Sequence, residues 1–160
     1  MQRLQLICVG KLKERFYIEA AAEYIKRLGA YCSLQLTEIP EERLPRDPSP
    51  AQIEAALARE AQGILAKLAP RSSLIALCIE GRLYSSEELA GLLAAQANQG
   101  ASQLALAIGG SFGLHPSVKA RAQIRLSMSP MTFPHHLARV MLLEQLYRGF
   151  QINDGGRYHK

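Results

Sequence analysis

Residues 102–129 read SQLALAIGGSFGLHPSVKARAQIRLSMS. Leu104, Ala105, Leu106, Ala107 and Ile108 form a short, almost uninterrupted apolar run ended by Gly109 and Gly110, the pattern of a strand covered on both faces. A short helix is expected around residues 117–123, and a second strand follows in IRLSMS. The same alternation extends outward from this segment. Upstream, LQLICVGK, SLQLTEIP and SSLIALCIEG are strand-like, the first ended by Gly10 and the second by Pro40. Phe16, Ala20, Ala21, Tyr24, Ile25 and Leu28 recur at helical spacing over residues 13–28, with Gly29 as the stop. Ser49 before Pro50 is an N-cap followed by proline in the first turn, opening a helix over residues 51–68. Ser85, Ser86, Glu87 and Glu88 open another that reaches about residue 97, and a last helix is expected over residues 134–150. Near-continuous apolar strands alternating with helices predict an α/β fold, a parallel sheet flanked by helices on both faces. No long linker or internal repeat interrupts residues 1–160, so a single domain is expected.

The 160 residues are 48% apolar and 21% charged, a composition that can bury a core without disulfides or metals. The opening MQRLQLICVGKLKERF has too short an apolar run for a signal peptide, and no stretch approaches the length needed to span a membrane. A soluble cytoplasmic protein is expected, without membrane partners. Cys8, Cys32 and Cys78 are odd in number, widely spaced and set in apolar surroundings, which points to buried thiols rather than a disulfide framework or zinc. Charge is unevenly placed. Residues 1–100 carry 12 basic and 12 acidic side chains, whereas residues 101–160 carry seven basic ones against Glu144 and Asp154. The net charge of +5 and all four histidines therefore belong to the C-terminal part, which suggests a polyanionic partner or simply a basic surface.

In an open parallel sheet, ligands bind at the C-terminal ends of the strands. Three such ends are unusual here: LCIEG, AIGGSFG and LSMSPMTFPHH. The glycines of the second allow close approach of backbone to a ligand, although it is neither a dinucleotide fingerprint nor a Walker loop. In the third, Pro130 and Pro134 take the chain out of the sheet into a stiff loop. Its backbone could meet the polar edge of an adenine over an apolar floor of Met128, Met131 and Phe133. The plainer alternative is a helix cap, with Thr132 or Phe133 preceding Pro134. His135 and His136 are adjacent, a poor spacing for joint metal ligation, so no metal is expected. The chain closes on GGRYHK, where Arg157, Tyr158, His159 and Lys160 are either a frayed end or a flap hinged at Gly155 and Gly156.

LQLICVGKLKERF, AEYIKRLGAYCSLQLTEIP, AIGGSFGLH, LSMSPMTFPHHLARVMLLEQLYRGFQI and YHK, taken together and in order, resemble the ribosomal RNA large-subunit methyltransferase H family of small SPOUT-class enzymes. The resemblance covers essentially the whole chain. It implies a SPOUT-type parallel α/β domain whose C-terminal segment threads a deep trefoil knot. It also implies a pocket for S-adenosyl-L-methionine involving Leu77, Gly109, Met128, Ser129, Pro130, Met131, Thr132 and Phe133. Family members are homodimers, with the site completed near the subunit interface, and they methylate N3 of a pseudouridine in a large-subunit rRNA stem-loop on assembled ribosomes. Two positions depart from the family pattern. Pro130 stands where a lysine is usual, and His136 where a glutamine often follows the first histidine.

Methyl transfer from a sulfonium requires in-line placement of the nucleophile and a partner for the proton on N3. His135, Arg139, Tyr158 and His159 are the candidates. Arg139 is expected to orient phosphate or base, and Tyr158 and His159 to close over the target nucleotide. The competing reading is a non-catalytic RNA- or ribosome-binding module that uses the basic C-terminal half. A hydrolase built on Cys78 or a histidine has no nucleophile elbow or nucleophile–base pair to support it.

Overall fold

The computed structural model of the chain describes residues 1–100 and 103–160. Five strands form one sheet: β1 (Gln2–Val9), β2 (Cys32–Ile39), β3 (Ser73–Leu83), β4 (Leu104–Ile108) and β5 (Ile124–Ser127). Their order is β2-β1-β4-β3-β5, and every pairing is parallel. The connecting helices are α1 (Arg15–Leu28), α2 (Pro50–Lys67), α3 (Ser86–Asn98) and α4 (Pro116–Arg121), and α5 (His135–Asn153) follows β5. The α/β architecture expected from the sequence is the one observed.

Alternation along the strands divides the core between two layers. Leu4, Leu6 and Cys8 of β1 and Leu104, Leu106 and Ile108 of β4 belong to the layer that includes Leu28 of α1, Leu93 of α3 and Leu142, Leu143 and Leu146 of α5. Ile7, Val9, Ala105 and Ala107 pack in the opposite layer with Ala61 and Ile64 of α2 and Val118 of α4. Helix α5 lies between α1 and α3. Its Leu142, Leu143 and Leu146 are buried there, while Leu137, Val140, Met141 and Tyr147 stay half-buried.

Helix ends follow the chemistry of their caps. Ser49 and Gln52 form a reciprocal capping box at α2, and Ser85 and Glu88 form one at α3. At α4 the cap is His115, whose Nδ1 accepts from the Ser117 backbone N–H at 3.1 Å, so this helix starts earlier than the sequence suggests. Helix α5 begins at His135, with Pro134 at the N-cap position and no side-chain cap, in place of the expected Thr132 or Phe133. Its other end is a Schellman turn. Gly156 N–H donates to Gln151 O at 2.8 Å, Gly155 N–H donates to Ile152 O at 3.2 Å, and Gly155 holds φ +70°. Among the described residues no helix is long and apolar enough to cross a membrane.

Candidate active site

Because the sheet is parallel, all five strands end at one edge. The chain leaves β1, β3 and β5 toward the layer of α1, α3 and α5, but leaves β4 toward α4. Divergent exits beside β4 open a crevice at a topological switch point. A cavity of about 690 Å3 lies there, within the size range of small-molecule sites.

One wall is the turn after β4. Gly113 N–H donates to Gly110 O at 3.0 Å and Gly113 holds φ +82°, closing a tight turn. A Cβ on Gly109 would sit 2.3 Å from Gly113 O, so only glycine fits there. A second wall comes from β3. Its register with β5 runs to Leu77↔Leu126 and resumes at Arg82↔Leu126, leaving residues 78–81 as a bulge. Gly81 permits this, since a Cβ would lie 2.7 Å from the Arg125 backbone. Cys78, Ile79 and Glu80 of the bulge line the cavity beside Leu77. Glu80 pairs with Lys119 of α4, which holds its carboxyl below the usual range, while burial pushes the Cys78 thiol up.

The third wall is the loop after β5. Ser127 Oγ donates to Ser129 O at 3.0 Å, and Met131 N–H donates to Ser129 Oγ at 3.0 Å, fixing the loop from within. Met128, Ser129, Met131, Thr132 and Phe133 line the cavity; Pro130 is exposed and does not. Of the expected cofactor residues, Leu77, Gly109 and these five therefore meet at one place. Cys78, Glu80 and Lys119 lie outside the set expected from sequence. The available signal was Gly81 inside a strand pattern, which often marks a bulge.

The four candidate catalytic residues separate. His135 lines the cavity. Its Nε2 is buried and has no hydrogen-bond partner among the described residues. Burial, and then the neighbouring His136, push the imidazole below its ordinary pKa, favouring the neutral ring. Arg139 does not line the cavity. It is buried, donating from Nη1 to Glu38 Oε2 at 2.8 Å and from Nη2 to Gly10 O at 3.0 Å, and so ties α5 to the ends of β2 and β1.

Tyr158 and His159 lie on α5 and α3 and line no part of this chain's cavity. Tyr158 Oη donates to Glu144 Oε1 at 3.0 Å, and its ring meets Tyr147 edge-on at 4.8 Å. Burial and Glu144 push the Tyr158 phenol up to about 12. His159 Nε2 is 2.7 Å from Glu87 Oε1, and its Nδ1 is 3.1 Å from Arg148 Nη1. A guanidinium can only donate, so Nδ1 accepts and Nε2–H donates to Glu87. The tail is bound back onto its own chain by these contacts.

A parallel α/β sheet with a small-molecule cavity at its switch point defines the class of doubly wound, ligand-binding α/β proteins. Residues 2–159 match the family described as "Predicted SPOUT methyltransferase", and the chain belongs to the SPOUT methyltransferase family. Solved structures share the fold at low sequence identity. A probable methyltransferase from Bordetella pertussis Tohama I has TM-score 0.60 at 19% identity, covering 93% of this chain and 95% of that one. A probable methylase family protein from Haemophilus influenzae Rd KW20 has TM-score 0.57 at 16% identity, covering 99% and 71%. A Legionella pneumophila protein described as a methyltransferase, solved with the bound cofactor SAM, has TM-score 0.50 at 12% identity, covering 95% and 66%.

Proposed function

We propose that the chain binds S-adenosyl-L-methionine in the cavity beside β4 and methylates RNA, at N3 of a pseudouridine in a large-subunit rRNA stem-loop of the assembled ribosome. The observation that carries this reading is the convergence of Leu77, Gly109, Met128, Ser129, Met131, Thr132 and Phe133 on one cavity. The lining suits the cofactor. Ile108, Leu114 and Leu126 give an apolar floor, and Gly109 and Gly110 bring backbone to the cavity wall. When bound, the cofactor supplies a methyl group made electrophilic by its sulfonium. The chain's own part is placement and proton handling. His135, which lines the cavity and whose neutral form is favoured, is the candidate on this chain to accept the N3 proton. Arg139 is a positioning residue that sets the start of α5, and so His135, against the sheet. Pro130 lies outside the cavity lining, so the lysine usual at that position is not required for the cavity wall.

This reading includes the C-terminal trefoil knot, a homodimer and a cytoplasmic location, where ribosomes are found. Tyr158 and His159, held away from their own cavity, would then act at the partner's. Titration calorimetry with S-adenosylmethionine and its demethylated product is the test. Saturable binding of both, lost in a variant that fills the glycine turn, is expected. Absence of heat with either ligand would overturn the enzyme reading in favour of an RNA-binding module.

A further inference from the structure

Composition places the cationic surface in residues 101–160, but folding redistributes it. Arg139 pairs with Glu38, Lys119 with Glu80, and Arg148 with Glu144. Two of those carboxylates belong to the balanced N-terminal part. Arg121, Arg125, Arg157 and Lys160 form no ion pair among the described residues, and engaging Glu38 and Glu80 leaves N-terminal cations without those partners as well. Lys13, Arg43 and Arg46 are exposed and form no ion pair among the described residues.

These three side chains gather on one feature. A groove of about 480 Å3 lies beside the cofactor cavity, lined by Lys13 from the loop after β1 and Arg43 and Arg46 from the loop after β2. Three acids line it too, of which one is offset by an ion pair and two accept hydrogen bonds. Glu41 accepts from Ser111, Glu42 pairs with Arg59 at 3.3 Å, and Glu60 accepts from the Glu42 backbone N–H at 2.9 Å. Phe112 also lines the groove, at the tip of the Gly110–Gly113 turn, and is 49% exposed. Its neighbour Ser111 lines both groove and cavity, so the two are continuous.

We infer that this groove is the RNA-docking surface: Lys13, Arg43 and Arg46 receive the sugar–phosphate backbone, and Phe112 stacks on a base next to the target. The inference rests on the RNA-methyltransferase reading for the nature of the ligand, and it places that ligand on the β2–β1 half of the edge whose β4–β3–β5 half holds the cofactor cavity. Unpaired cations release counterions from phosphates, and an exposed aromatic beside them gives the stacking platform that single-stranded RNA requires.

The probe is a synthetic RNA stem-loop with a single-stranded loop, its affinity measured by filter binding from 0.1 to 1 M salt. Each phosphate contact on a single strand contributes about 0.7 to the logarithmic salt slope. Lys13→Ala/Arg43→Ala/Arg46→Ala should therefore lower the slope by about 2, weakening binding ~100-fold at 0.1 M salt and little at 1 M. Phe112→Ala should weaken binding roughly tenfold at every salt concentration, with Phe112→Tyr restoring it. Thermal melting and calorimetry with S-adenosylmethionine should be unchanged, because all four residues are exposed and none lines the cavity. An unaltered slope in the triple variant, or a slope lowered instead by Arg125→Ala/Arg157→Ala/Lys160→Ala, would overturn the inference. Neither result touches the cofactor assignment, which fails only if calorimetry fails.

Discussion

Replacing Arg139 with methionine separates a structural from a catalytic role. The side chain is 3% exposed and bonds Glu38 at 2.8 Å and Gly10 O at 3.0 Å. Methionine fills similar volume but leaves a carboxylate and a carbonyl without their donor. Breaking a buried pair from one side typically costs about 3–5 kcal/mol. Glu38 is 30% exposed and regains some hydration, so the lower end, about 3 kcal/mol, is expected. For a chain of 160 residues that corresponds to a Tm lowered by roughly 6–12 °C. Adding Glu38→Gln removes the stranded charge and should recover much of the loss, a coupling readable in a double-mutant cycle. Melting followed by circular dichroism, alongside methyl transfer, is the assay. A Tm within 2 °C of the parent, combined with lost activity, would refute this reasoning and turn Arg139 toward the substrate.

Gly109→Ala forces a Cβ against the Gly113 backbone and should cost about 1–3 kcal/mol with at least a tenfold loss of cofactor affinity by calorimetry. Gly91→Ala, a helical position with nothing within 4 Å, should instead stabilise the protein by about 0.5–1 kcal/mol. His135 has a depressed pKa, so the unfolded chain binds its proton first; stability should fall as pH drops from about 6.5 toward the folded value. His135→Gln should flatten that part of the stability–pH curve in urea titrations and slow methyl transfer; an unchanged curve counts against a neutral buried ring. Deleting residues 157–160 removes the contacts of Tyr158 and His159 with α5 and α3, so it should lower the melting temperature modestly and leave cofactor binding nearly intact while abolishing methyl transfer; surviving activity would make the tail dispensable.

Local signals carried far into the structure. Ser49–Pro50 and Ser85–Glu88 are short-range chemistry, and both helices start where those residues place them. The glycine turn and the proline-rich loop were visible because punctuation at strand ends is local too. Sheet order was not visible, since which strands neighbour β4 depends on crossovers that no single segment encodes. The bulge at residues 78–81 is a relation between β3 and β5, so only Gly81 hinted at it. Arg139 bonds Glu38 across 101 positions, a distance at which sequence patterning says nothing about pairing. For the same reason a charge count by segment located the cations but not their partners. His135 was legible as a residue type near a strand end; its unpartnered Nε2 required the packed start of α5.

The most direct measurement uses purified protein, ribosomes lacking the modification, and S-adenosylmethionine carrying an isotopically labelled methyl group, followed by mass spectrometry of rRNA nucleosides. Label on N3 of a single pseudouridine in large-subunit rRNA, absent without the protein, is the predicted result. Label on another nucleoside, or none in the presence of demonstrated cofactor binding, would contradict it.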